Sequence, residues 1–132
     1  MKNIIGLLSF FLLISFSVNA QSKIEKEKSP FLFLVESDAK EIKLKGEFGS
    51  AWTQLGFTLG SQQTVAFTEL GMVSGDLQEV AKTALFLITI QRTQTGLQFK
   101  SLKGTAWIDL SFGCNGQACK KYVDFFGMVS HQ

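Results

Sequence analysis

The chain has 132 residues, 13 of them Lys or Arg and 11 Asp or Glu. Taking away Lys2 with a 20-residue leader leaves 12 basic against 11 acidic residues, so no basic excess exists to displace counterions from a nucleic acid. With 45% hydrophobic and 18% charged residues and a single Pro, the chain is not disordered, and its one histidine, His131, leaves hydrolytic and metal chemistry short of their usual residue.

Residues 1–20 have the three parts of a signal peptide: Lys2 as the positive start, Ile4–Val18 as the apolar stretch, and Val18-Asn19-Ala20 as a small-residue cleavage site. An apolar run of 15 residues falls short of the roughly 20 needed to cross a bilayer. The expected address is therefore the periplasm, or the surface or surroundings, of a bacterium, with no stable membrane span after cleavage. Residues 21–30 are expected to be a flexible leader into the fold.

Residues 31–132 read as a single β domain containing two copies of one unit, 31–74 and 86–130, joined by 75–85. A shift of 55 residues lays Phe31-Leu32 on Phe86-Leu87 and Gly49-Ser50-Ala51-Trp52 on Gly104-Thr105-Ala106-Trp107. One extra residue near Cys119 changes the shift to 56, which lays Gly71-Met72-Val73-Ser74 on Gly127-Met128-Val129-Ser130. Of 44 aligned positions 13 are identical, against roughly 3 expected from average residue usage.

In chain order, Phe31–Val35 and Phe86–Ile90 are short apolar runs with strand length. Ile42 and Leu44, like Leu97 and Phe99, alternate with polar residues, the period of a half-buried strand. Third strands are expected from Ala51 to Thr58 and from Ala106 to Phe112, and fourth strands over Thr64–Leu70 and Lys120–Phe126. Between the copies, Asp76 followed by Glu79 makes a capping box for a helix of about two turns. The expected fold is all-β: two tandem four-stranded antiparallel meanders, packed as a pseudo-twofold eight-stranded sandwich or barrel with one short linker helix. Met72 and Met128 are expected to plug the end of the core.

Candidate site residues are few. Strand alternation sets Ala51, Thr53, Leu55 and Phe57 on the core face and turns Trp52 the other way unless a bulge intervenes; the same holds for Trp107. Trp52 and Trp107, with Gln54 and Asp109 beside them, could offer a platform to a protein, a glycan or a small apolar ligand. The competing interpretation has each ring close a corner of the fold. Cys114 and Cys119 flank an Asn-Gly turn and are expected to form a structural disulfide in an exported protein. Glu69, Asp109 and Asp124 read as solvated strand residues. No metal site and no cofactor are expected.

The pattern of aromatic-apolar strand, Gly-Ser/Thr-Ala-Trp, Leu-x-Phe and Gly-Met resembles a group of short exported proteins of Bacteroidota. It is carried by Gly49, Ala51, Trp52, Leu55, Phe57, Gly71 and Met72 and their partners in the second copy. That resemblance implies no activity or ligand; if single-unit relatives pair, it implies that this chain is a fused dimer. The expected function is thus a non-catalytic exported β domain with a binding or structural role at the envelope. Alternatives are a barrel carrying a small apolar ligand inside, and a carboxylate-dependent hydrolase.

Overall fold

The structure, a computed structural model, describes residues 28–114 and 119–129. The expected signal peptide, most of the leader and the Asn115-Gly116 turn lie outside the described residues. In chain order the elements are β1 (Leu32–Ser37), β2 (Glu41–Phe48), β3 (Gln54–Thr58), β4 (Thr64–Thr68), β5 (Gly71–Val73), α1 (Leu77–Thr83), β6 (Leu87–Arg92), β7 (Gly96–Lys103), β8 (Asp109–Gly113), β9 (Cys119–Asp124) and β10 (Gly127–Val129). Asp76 caps α1, its carboxylate accepting from Gln78 N at 3.0 Å, while Glu79 pairs with Lys82 instead of completing the expected box.

The strands form two five-stranded antiparallel sheets, ordered β10-β9-β1-β2-β3 (sheet A) and β5-β4-β6-β7-β8 (sheet B). The all-β expectation holds, and the sheets are open rather than closed into a barrel. Two details differ from expectation. Each expected fourth strand ends two residues early in a turn, and a further short strand that was not expected follows it, β5 after β4 and β10 after β9, so the described residues hold ten strands and not eight. Neither sheet is a meander from one half of the chain: β4 and β5 leave the sheet of β1–β3 to pair with β6, and β9 and β10 return to pair with β1. The physical reason is burial. A strand of alternating polarity needs neighbours on both edges and a covered face, but alternation does not say which strand supplies them.

One core joins the sheets. Phe33, Val35, Ile42, Leu44, Phe67, Ile88, Ile90, Leu97, Phe99 and Val123 are fully or almost fully buried in it. β1 and β6 occupy the centres of their sheets, and Phe31 and Phe86 meet across the gap with ring centroids 4.5 Å apart. Phe33 and Phe67 make an edge-to-face contact at 5.5 Å. Both β2 and β7 carry a bulge close to their ends, between the pairs Leu32–Phe48 and Phe33–Gly46 and between Leu87–Lys103 and Ile88–Ser101.

The antiparallel registers define two ends of the sandwich. At one, here the tryptophan end, β1 and β6 begin, β2 and β7 finish, and the turns 69–70 and 125–126 lie. At the other, the arginine end, lie the turns 38–40 and 93–95 and the close of β3 and β8. Met72 and Met128 do not plug the core: they sit in the short edge strands β5 and β10 and are exposed, because three-residue strands at an edge have no further neighbour to cover them.

Gly49 and Gly104 make the departure from β2 and β7 possible. Their φ angles are +87° and +89°, and a Cβ on Gly49 would stand 2.3 Å from the Pro30 carbonyl oxygen and 2.5 Å from Phe31 Cα. Gly49→Ala is expected to lower stability by more than the ~1–2 kcal/mol of the left-handed conformation alone, because main-chain atoms block the methyl group. Gly56→Ala, where nothing lies within 4 Å, should shift the thermal midpoint far less in the same measurement.

Candidate functional site

The two tryptophans are held by loops and not by strands. β3 starts at Gln54 and β8 at Asp109, so residues 49–53 and 104–108 cross the end of the sandwich before their strands begin. This corrects the expected third strands and the outward rings derived from them: strand alternation does not govern a side chain in a crossing loop. Each indole is only 8% exposed and belongs to the core. Trp52 Nε1 donates to the Thr68 carbonyl at 2.9 Å, and Trp107 Nε1 donates to the Asp124 carbonyl at 2.9 Å. The main chain repeats the connection, with Ala51 N on Glu69 O at 2.7 Å and Ala106 N on Phe125 O at 2.9 Å. Each loop leaves one sheet and is tied to the opposite one. Ser50 and Thr105 fix the loops locally, their hydroxyls donating to the carbonyls of Trp52 and Trp107. Trp52 also lies over Gly46, where a Cβ would stand 3.3 Å from the ring.

Gln54 and Asp109 open β3 and β8, edge strands of different sheets, and both are exposed. The four expected residues therefore do not form one site: Trp52 and Gln54 stand at one corner, Trp107 and Asp109 at another. Asp109 accepts from Gln98 Nε2 at 2.8 Å across the β7–β8 pair. Glu69 is a correction, being 9% exposed in the β4–β5 turn and not on a solvated strand face. Its carboxylate accepts from the main-chain N–H of Leu85 at 2.9 Å and of Phe86 at 3.3 Å. Asp124 likewise accepts from Phe126 N and Gly127 N, closing the β9–β10 turn. These two carboxylates cap turn and strand termini, and Glu69 thereby satisfies the buried Phe86 N–H, which would otherwise be unpaired.

Sequence reasoning passed over Arg92, although it is the only arginine in the chain. At the arginine end it reaches from β6 to the other sheet, donating through Nη2 to the Asp38 carbonyl at 2.9 Å and through Nε to the Leu59 carbonyl at 2.5 Å. A planar fork suits such a bridge better than a lysine ammonium. A polar hollow lined by Ser37, Asp38, Arg92, Thr93, Gln94 and Cys114 opens beside it. Asp38 shapes its own turn, its carboxylate accepting from Glu41 N at 2.7 Å and Lys40 N at 2.9 Å. These two hydrogen bonds, and the Arg92 charge after them, hold the Asp38 carboxyl below its ordinary value of 3.8. With the folded value depressed, the stabilisation is present above the ordinary value and is lost as pH falls through the folded one. The Asp38 carboxyl resonance should accordingly titrate with a midpoint below 3.8 in the folded protein, and an unshifted midpoint would show that the turn does not hold the carboxylate.

Cys114 and Cys119 are disulfide-bonded with their Cα atoms 5.6 Å apart, as expected. No three His, Cys, Asp or Glu side chains among the described residues group to hold a metal ion. No helix among them is long and apolar enough to cross a membrane. No protein-family model, curated protein or solved structure matches the chain.

Proposed function

We propose that the protein is an exported, non-catalytic β-sandwich with a binding or structural role at the bacterial envelope, built from two tandem copies of one half-domain. The observation that carries the non-catalytic part is the employment of its most distinctive side chains. Trp52, Trp107, Glu69, Asp124 and Arg92 are each engaged with main-chain groups that tie turns and sheets together. A side chain held this way is pre-organised for the scaffold and has little freedom for a reacting group. The duplication is supported by hydrogen bonds recurring at the spacing seen in the sequence: Gly46 N on Thr53 O matches Ser101 N on Ile108 O, and Asp38 N on Glu41 O matches Thr93 N on Gly96 O. Export is supported by the Lys2, Ile4–Val18 and Ala20 pattern and by the disulfide.

The test is expression of the full chain in a bacterium, followed by fractionation, intact-mass measurement and assay against ester, glycoside and peptide substrates. The expected results are an envelope or medium location, a mass beginning at Gln21 with the disulfide intact, and no turnover. Turnover abolished by Asp109→Asn in a protein that still folds would overturn the non-catalytic conclusion, and an unprocessed cytoplasmic chain would overturn export.

A further inference from the structure

The two open sheets end in four edge strands, β10 and β3 in sheet A and β5 and β8 in sheet B. An edge carries unpaired main-chain donors and acceptors, and proteins guard it with charge, proline, a bulge or short length. β5 and β10 are three residues long, and β8 opens on Asp109. β3 reads Gln54-Leu55-Gly56-Phe57-Thr58, with no charge and no proline, and its pairing with β2 has no register shift. Among the described strands it is the unguarded edge.

Its free groups follow from the ladder. Gly46 N donates to Thr53 O and Leu59 N donates to Lys40 O, which fixes the phase of the β2–β3 pairing. Bonded pairs alternate with non-bonded ones, so Leu55 and Phe57 spend their main-chain groups on β2, and those of Gln54, Gly56 and Thr58 point away from the sheet. The side chains sort the same way. Leu55 and Phe57 lie half-buried against the core, whereas Gln54, Gly56 and Thr58 are exposed. Nothing lies within 4 Å of where a Gly56 Cβ would stand.

This edge complements itself. A second β3 laid antiparallel about Gly56 sets Gln54 opposite Thr58 of the second copy and Gly56 opposite its own counterpart, bonded pairs that exchange both hydrogen bonds. On the core side each Leu55 meets Phe57 of the other copy in a close non-bonded pair. A ring beside a smaller side chain is also the combination at Phe33–Val123 and Phe67–Ile88. In β2, Lys45 lies opposite Gln54 and Glu41 opposite Thr58, so the twofold brings Lys45 of one copy and Glu41 of the other into one row, twice. Lys43 alone shares a row with its own counterpart, across the two glycines. These matches make the occupant a second copy of this chain and not an unrelated strand.

We propose that the protein dimerises through β3, joining two copies of sheet A into one continuous antiparallel sheet. The contact is short, at the small end of specific interfaces, so the dimer forms at about 10 μM to 1 mM. It does not depend on where cells send the chain.

The test is sedimentation equilibrium of the purified protein over that concentration range. The parent should pass from monomer to dimer. Gly56→Pro removes an outward N–H and leaves the β2–β3 ladder whole, and it should weaken the dimer at least tenfold with far-ultraviolet circular dichroism unchanged. Gly56→Ala keeps that N–H and should dimerise as the parent does. Ser111→Pro makes the same change at the matching position of β8 and should also leave the dimer intact. Two exposed side chains then read the register without touching the backbone. Gln54→Lys with Thr58→Lys sets like charges opposite each other and should give a monomer, whereas Gln54→Lys with Thr58→Glu sets opposite charges and should restore the dimer. A monomer throughout the range for the parent would overturn the proposal, as would a dimer indifferent to Gly56→Pro and to the paired lysines. Loss of the dimer on Ser111→Pro, or masses growing beyond a dimer, would overturn it too, since β3 would then meet β8 of the next copy in an open chain.

Discussion

Trp52→Ala is expected to destabilise the protein by about 3–5 kcal/mol, the range for emptying a large aromatic site in a core. Two losses add here. The ring contacts to Phe33 and Phe67, at 6.2 and 6.0 Å between centroids, disappear, and so does the 2.9 Å hydrogen bond to the Thr68 carbonyl. Trp107→Ala should cost a similar amount, because its Nε1 bond to Asp124 fixes the other corner in the same way. A domain of this size has roughly 5–15 kcal/mol in total, and separated sites add, so the double variant should be largely unfolded at 25 °C. Trp52→Phe keeps most of the apolar contact and loses the donor, and about 1–2 kcal/mol is expected. Urea unfolding followed by far-ultraviolet circular dichroism reads all four. A loss below 1 kcal/mol for both alanine variants would show that the rings do not bolt the sheets together.

The second large effect concerns the exchange of hairpins. Cutting the chain between Gly75 and Asp76 leaves each fragment with three strands of one sheet and a hairpin that belongs to the other. Neither fragment should fold as a monomer, since β4 then lacks β6 and β1 lacks β9. Homodimers of either fragment are also poor. In the intact protein Phe33 lies beside Val123 in sheet A, and Phe67 lies beside Ile88 in sheet B, a large ring next to a smaller side chain each time. Two copies of the first fragment would set Phe33 beside Phe67 twice, at an overpacking cost of about 1–3 kcal/mol per site. Two copies of the second would set Ile88 beside Val123 and leave voids. Mixing the fragments should produce a 1:1 complex with native circular dichroism and a higher thermal midpoint than either alone. A fragment that folds alone as a monomer would refute this account of the core.

Much of this architecture was legible from residue patterns. The alternation of Ile42 and Leu44 with lysines gave β2 its buried face, and Asp76 marked the start of α1. The disulfide followed from two cysteines around a turn signal. What escaped was long-range. Alternation decides which face of a strand is buried but is silent on its neighbour, so the transfer of β4 and β5 to the second sheet could not be read. Trp52 was turned outward because period-two logic was carried two residues too far back, into a loop that Gly49 redirects with its positive φ. Glu69 looked like surface because acids usually are, and its burial depends on two main-chain donors 16 and 17 residues away in sequence. Arg92 carried a signal in its uniqueness, but its two shorter hydrogen bonds go to carbonyls, which leave no trace in a sequence.

The pairing of β9 with β1 also sets a timetable. Sheet B has every strand in hand once Gly113 has been made, whereas sheet A keeps an open flank along β1 until Cys119–Val129 follows. Contacts that close so large a loop form late, and a chain threading through a membrane pore head first would remain pliable for nearly its whole passage. In such a passage maturation would fall to the far side, where the Cys114–Cys119 disulfide would pin the start of the returning strand against the close of β8.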